Sequence, residues 1–360
     1  MTEPSNEAEA PIPASQPLTI AALLDTTLLS VDGAPFTGRE LLSAGIVAGR
    51  WQRLERDLAE GLGLIAADPV PKADASEQLR AFRLERALFS AEDVRAWMAP
   101  RGLSIGATTA VAARQVARRR GGSPLAVETS EAAAALPAEA ICSGALTEIG
   151  WWLADRVLSA KATDSDVAPV PLESRHIQRL VWDEVRSVAG RALAEPGTVR
   201  GERIGRVVAL DAAHREWEAS LAGEAELSKR LREHELDWCR YEVEELRLGG
   251  GGAAAEVARQ LAEGAEAGEL ARTAGVPLSA FEVILADAPA SLVRALTGAV
   301  AGEVAGPWAE GDGDHRVLRV RARQAPNPDD AELIARARAE LIAEGAARLR
   351  SGRVRWHDRC

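Results

Sequence analysis

The chain is 360 residues long, with 43 basic and 54 acidic side chains and a formal charge of −11. That length accommodates two or three domains, each with a core of its own. The acidic balance repels both a phosphate backbone and an anionic bilayer, so nucleic acid and membrane are set aside as partners. Lysine occurs only at Lys72, Lys161 and Lys229, an arginine skew that fits GC-rich coding and carries no binding signal.

Cys142, Cys239 and Cys360 are an odd number with no short spacing. They suit a reducing compartment and supply neither a disulfide framework nor a cysteine-based metal knuckle. The start, MTEPSNEAEAPIPASQPLTIAALLD, has acidic residues where a secretory signal needs positive ones, and its apolar run is only about seven residues. Residues 1–16 are expected to be a disordered leader on a cytoplasmic chain, and no apolar run approaches the roughly 18 residues of a membrane span.

Along the chain the pattern is mostly helical. LLSVDGAPFTGRELL begins as a short apolar strand with a turn at Asp32-Gly33. Thr37 and Glu40 then form a capping box that predicts a helix through Leu41, Trp51, Leu54 and Leu58. Ser90 and Asp93 repeat the device ahead of Val94, Trp97 and Met98. RRRGGSP, residues 118–124, reads as a linker. Three helical stretches follow between about 138 and 240, separated by the Asp/Ser/Pro segment at 163–171 and by Pro196-Gly197.

The last third changes character. YEVEELRL, 241–248, alternates as a strand, and Gly249 to Gly252 end it. A phosphate-cradling loop would continue into Lys-Ser/Thr, whereas Ala253 to Ala255 follow, so the glycines read as a flexible turn. An Ala-rich helix pair broken at Gly264, a strand-like FEVILADAP, a short helix ASLVRALTGAV and a closing strand at 315–322 complete a β-α-α-(β)-α-β unit over 239–325. Asn327-Pro328 start a last amphipathic helix with Leu333, Ile334, Ala337, Leu341 and Ile342 at helical spacing.

GEVAGPWAEGDGDHRVLRV, residues 302–320, resembles the C-terminal signature of the parvulin family of peptidyl-prolyl isomerases, in which a Gly-Glu-(Val/Ile)-Ser-Gly-Pro-Val turn leads into a Gly-x-His strand. GAEAGELARTAG resembles the family's G-x-x-F-x-x-L-A helix, and YEVEELRL takes the place of its first strand. VDGAPFTGRELL together with FRLERALFSAEDVRAWMAPRGLS is similar to the helical chaperone region of SurA-like parvulins. The order of the modules is SurA-like too, and is similar to that of the cytosolic parvulin-like proteins of peptide maturation in ribosomal peptide natural product pathways. Residues 121–235 carry no resemblance.

Pattern and resemblance together give a mainly α chain with a C-terminal α+β unit: a helical module at 17–120 that the resemblance makes SurA-like, a middle region at 121–238 that the pattern alone makes helical, a parvulin-like small antiparallel sheet with packed helices at 239–325, and a helix at 326–360 that the resemblance folds back onto the N-terminal module. The resemblance also places His315 where the family has its last-strand imidazole and Glu245 where the first strand has another, so the two are the catalytic candidates and are expected to face one another. The family's Gly-Gly-Asp-Leu-Gly-Trp/Phe loop has no counterpart between Val276 and Ala290. For His315 two readings stand, an imidazole that orients substrate and one that only hydrogen-bonds within the sheet. For Glu245 the plainer alternative is a solvated strand residue.

Seven of the nine tryptophans fall in helical segments, where core packing is the default. Trp151 and Trp152 are adjacent, about 100° apart on a helix, and cannot both point into one narrow seam. One is expected to line an apolar groove, and Trp151, Trp152 and Trp308 are the candidate substrate contacts. His176, His214 and His234 lie on helical patterns that suggest no metal site, and no cofactor is expected. Two functions remain. The favoured one is a peptide-binding or chaperone protein that holds an unfolded or precursor peptide for a peptide-modifying enzyme. The alternative is a slow but genuine prolyl isomerase with a rebuilt pocket.

Overall fold

A computed structural model describes residues 18–164, 168–309 and 313–357, so the expected leader at 1–16 lies outside the described residues. The Thr19 hydroxyl accepts from Ala22 N at 3.2 Å and opens α1 (Ile20–Leu24). β1 (Thr27–Val31) and β2 (Ala34–Thr37) form the hairpin expected at Asp32-Gly33, whose φ angles are 49° and 80°. The capping box of Thr37 and Glu40 opens α2 (Gly38–Val47). Gly49, at φ 66°, then interrupts what the periodicity reads as one helix, because a left-handed residue turns the chain before α3 (Arg50–Ala67) begins.

α4 (Lys72–Glu85), α5 (Ala91–Met98) and α6 (Ile105–Arg120) follow, with the Ser90/Asp93 capping box in place ahead of α5. The linker expected at 118–124 overlaps α6, which takes in Arg118 to Arg120, and just beyond it Leu125 N–H donates to Gly63 O at 3.1 Å. Next come α7 (Thr129–Cys142), α8 (Ala145–Ala162), α9 (Arg175–Arg186), the single turn α10 (Val188–Arg191), α11 (Gly197–Leu221) and α12 (Glu224–Glu233). The remainder is β3 (Arg240–Leu248), α13 (Gly251–Ala262), α14 (Ala267–Ala274), β4 (Leu278–Ile284), α15 (Ala290–Leu296), β5 (Val304–Ala309), β6 (His315–Gln324), α16 (Ala331–Arg350) and β7 (Val354–Trp356). The chain is thus mainly helical, with small antiparallel sheets flanked by helices.

Two compact units result, one of residues 1–217 with 346–360, the other of residues 218–345. In the first, the larger apolar core runs from Leu23, Leu41 and Trp51 through Leu136, Ile149 and Leu153 to Ile177 and Ile204, so the apolar faces of segments between 132 and 207 are buried together with those between 20 and 58. A charged network is buried beside it. Glu184, fully buried, accepts from Ser43 Oγ and from Arg203 Nη2, each at 2.7 Å, and Arg203 Nη2 also lies 2.9 Å from Glu195. β7 pairs antiparallel with β1, giving the order β2-β1-β7.

In the second unit the sheet order is β4-β3-β6-β5, every neighbour antiparallel. Strands β3 and β6 lie side by side at its centre, as the resemblance implies. One face, with Tyr241, Val243, Leu318 and Val320, packs on Leu292 and Leu296 of α15; the other, with Leu246, Leu248 and Val317, packs on α13 and α14 through Val257, Leu261 and Ala271. β5 is a strand where the sequence reads a turn: Gly306 and Pro307 mark a breaker, but β5 pairs on one side only, and an edge strand tolerates proline.

The face of the last helix that was expected to close on the module of Trp51, Phe82 and Trp97 is divided. Leu333 and Ala337 pack with Leu231, Trp238 and Ile284 of the second unit, which has an apolar surface of its own to bury, whereas Leu349 packs against the core of the first. Among the described residues no helix is long and apolar enough to cross a membrane.

Asp32 ties the β1–β2 turn to the far end of the same unit, accepting from Arg353 Nε at 2.7 Å and from Lys161 Nζ at 2.8 Å. These partners, Arg353 foremost, hold its carboxyl well below the usual carboxylate range. A depressed folded-state pKa stabilises fully above the unfolded value near 4, and the contribution is lost as pH falls below it. Asp32→Asn, which keeps a residue tolerant of positive φ, is expected to cost roughly 1 kcal/mol at pH 7 after screening at this partly exposed site. The gap between wild type and variant should narrow below about pH 4. Urea unfolding of both at pH 7 and pH 3 checks this; equal stability at pH 7 would dissolve the clamp.

Candidate functional site

His315, the first residue of β6, stands opposite Leu248 of β3 and Ala309 of β5. Its ring is on the face of Leu246, Leu248 and Val317, which α13 and α14 cover. Nε2 lies 3.1 Å from where a Cβ on Gly251 would be, so the half-buried imidazole is tucked against the first turn of α13 and would be crowded by a side chain there. Nδ1 is buried and has no hydrogen-bond partner among the described residues.

Glu245 stands opposite Leu318, on the other face. Only 3 % exposed, it accepts from Arg247 Nε at 2.5 Å and from Arg316 Nε at 2.9 Å. The expected facing of Glu245 and His315 is therefore not what the sheet provides. Side chains alternate along a strand, and Glu245 is three positions from His315's partner Leu248, an odd offset that sends the two to opposite faces.

Trp308, opposite Arg316 on β5, shares the face of Glu245. It packs half-buried against the cluster of Tyr241, Leu292 and Leu318, and its Nε1 is buried without a partner among the described residues. Trp151 and Trp152 belong to the other unit. Trp151 meets Trp356 edge-on at 5.6 Å with the Arg350 guanidinium 5.2 Å above it. Trp152 is partly buried against the first core, with Arg156 at 3.8 Å over its ring and Asp211 holding Arg156 at 2.9 Å. Adjacent indoles 100° apart have thus each found an intramolecular partner.

Open apolar surface lies elsewhere in the first unit. α4, α5 and α6 enclose a cleft of about 210 Å3 lined by Leu79, Phe82, Leu88, Val94, Trp97 and Met98. Phe82 and Trp97 meet edge-to-face at 5.4 Å and form its aromatic floor. Arg86 lies 3.9 Å over Phe82 and Arg101 4.5 Å over Trp97, while Arg83 and Arg95 stand in the lining itself. Ile105 in the lining is 61 % exposed and Phe89 nearby is 71 % exposed. A second, more open cleft of about 400 Å3 runs between α9 and the start of α11, past Ile177, Val181 and Trp182, the last 60 % exposed. The first cleft leaves a trace in the sequence: FRLERALF carries Phe82, Leu84, Leu88 and Phe89, more apolar residues than one buried stripe can use.

Burial pushes the Cys142 thiol up to about 11, which keeps it neutral and unreactive at physiological pH. Among the described residues no group of three His, Cys, Asp or Glu side chains is placed to hold a metal ion.

No protein-family model matches the chain, and no curated protein matches it. Among solved structures it is similar to PrsA from Bacillus subtilis, at 13% identity over 58% of this chain and 85% of that one, with a TM-score of 0.20. So slight a likeness carries neither fold nor function.

Replacing Glu245 by Ala should take an acceptor from the half-buried guanidinium of Arg316 and cost about 2–3 kcal/mol, less than the roughly 3–5 kcal/mol of a fully buried broken pair because that guanidinium is partly exposed. Glu245→Gln, which keeps an acceptor, should cost less. Urea unfolding of the three proteins checks the order; an Ala variant as stable as wild type would return Glu245 to the class of solvated strand residues.

Proposed function

We propose that this chain is a parvulin-related peptide-binding protein of chaperone type, which holds an unfolded or precursor peptide in the cytoplasm for an enzyme that modifies it. What carries the proposal is the α4–α5–α6 cleft, an open apolar trough with an aromatic floor and an arginine rim. Rigid aromatic rings contribute large contact area at small entropic cost, and a volume of this order accepts one or two apolar side chains of an extended peptide while its backbone stays solvated. Trp151, Trp152 and Trp308, engaged within the chain, act as packing residues in this proposal, and the client's contacts pass to Phe82 and Trp97.

The alternative is a slow peptidyl-prolyl isomerase, and one observation favours it: the partnerless Nδ1 of His315. Isomerisation needs no covalent step, only an apolar pocket that relieves a barrier of about 18–20 kcal/mol. Against it stand the packing of the His315 ring on α13 and the absence of Glu245 from its face.

Two measurements separate the readings. A labelled, permanently unfolded polypeptide should bind the wild-type chain, and Trp97→Ala should weaken it about ten-fold, the loss of roughly 1.4 kcal/mol, with the helical circular dichroism retained. In a protease-coupled assay on an Xaa-Pro peptide the chain should add little to the uncatalysed rate. Robust catalysis lost in His315→Ala, with binding indifferent to Trp97, would reverse the assignment.

A further inference from the structure

The same cleft has a neighbour in sequence that fits it. The described chain begins at Leu18, whose N–H donates to Gly102 O at 3.4 Å. Gly102 lies in the turn between Met98 and Ile105, both in the lining of the cleft. The described chain is thus joined to residues 1–17 beside a turn that connects two helices of the cleft. Residues 1–17 contain Glu3, Glu7 and Glu9 and no basic residue, and they carry an apolar Ile12 between Pro11 and Pro13. Ile12 lies six positions before Leu18, a reach of up to about 20 Å, and the turn of Gly102 that holds Leu18 is flanked by the lining residues Met98 and Ile105.

The charges are complementary. Two arginines and no carboxylate are in the lining, and the exposed Arg95 has no ion-pair partner among the described residues. An exposed cation without an ion-pair partner thus stands at the mouth of the apolar trough, and the segment that ends at Leu18 carries three carboxylates and no basic side chain.

Resting on the peptide-binding reading above, we propose that residues 1–17 are an internal ligand of the α4–α5–α6 cleft. Ile12 occupies the trough above the floor of Phe82 and Trp97, Glu7 and Glu9 pair with the arginine rim, and an external peptide enters by displacing them. A short tether presents its ligand at an effective concentration of order millimolar, so even a weak segment holds the cleft until a tighter client arrives. Client selection then becomes a competition against a built-in standard.

The test uses full-length chains. A dye-labelled synthetic peptide of residues 1–17 is titrated onto the wild type and onto a variant with Glu7→Lys, Glu9→Lys and Ile12→Lys, changes that lie outside the described helices. The variant, its cleft vacated, should bind the peptide at least ten-fold more tightly than wild type. Adding Arg95→Glu to the variant should abolish the gain while leaving circular dichroism unchanged, and raising the salt concentration should weaken the binding that Arg95 supports. Equal affinity for wild type and variant, or no binding to the variant, overturns the inference. The unfolded polypeptide provides the control that separates the two proposals: if it binds both chains equally and still depends on Trp97, the cleft is a peptide site without an internal ligand. If it binds neither, the peptide-binding reading itself has failed.

Discussion

In β3 and β6 successive side chains leave the sheet on opposite faces, and each face is sealed by its own helices. This alternation decides what the sheet can offer to a ligand. His315 goes with Leu248 under α13, Glu245 goes with Leu318 towards the face of α15, and no rotamer change brings an imidazole and a carboxylate together through a hydrogen-bonded sheet. The polar groups that remain are spent on local order. Glu245 gathers Arg247 and Arg316, and on the opposite face Glu244 takes Arg319, whose Nη2 is 2.7 Å away. Each buried carboxylate is thereby matched to a guanidinium, the arrangement that makes its burial tolerable.

The helical unit meets the opposite problem. It has more apolar surface than its elements can cover, and its arginines moderate the excess. Arg86 and Arg101 lie over the rings of Phe82 and Trp97, and Arg186 lies 5.3 Å from the ring centroid of exposed Trp182. A guanidinium stacks on an aromatic face while keeping hydrogen-bonding edges free, so it covers part of a ring without removing it from the surface. The compositional skew towards arginine, silent about nucleic acid, acquires a role here: lysine, a strongly hydrated point charge, stacks less readily.

Continuity of the first unit rests on a buried polar network as well as on aliphatic packing. Ser43 from α2, Glu184 from α9 and Arg203 from α11 meet at hydrogen-bond distances, and Arg200 donates to Gly190 O and Leu193 O at 2.9 and 2.6 Å. Buried charges leave few acceptable arrangements, since any slip would strand one of them. Residues far apart in sequence are thereby held in one register, which explains why a stretch without family resemblance is buried with the N-terminal helices.

By itself the sequence determined the local events. The capping boxes at Thr37 and Ser90, the hairpin turn at Asp32-Gly33, the alternation of YEVEELRL and the adjacency of the first and last strands of a C-terminal α+β unit were all legible, because each depends on neighbours a few residues away or on a motif of known order. Tertiary structure decided the rest. The break at Gly49, the edge strand containing Pro307, the pairing of β7 with β1 and the division of α16 between two cores depend on which surfaces meet, and no spacing rule encodes that. The site followed the same division. A motif places His315 and Glu245 on neighbouring strands, but only the pairing register assigns their faces. A string of apolar residues at 82–89 signals surplus surface, but only the packing of α4, α5 and α6 shapes it into a cleft, since a concavity belongs to several elements at once and to the sequence of none.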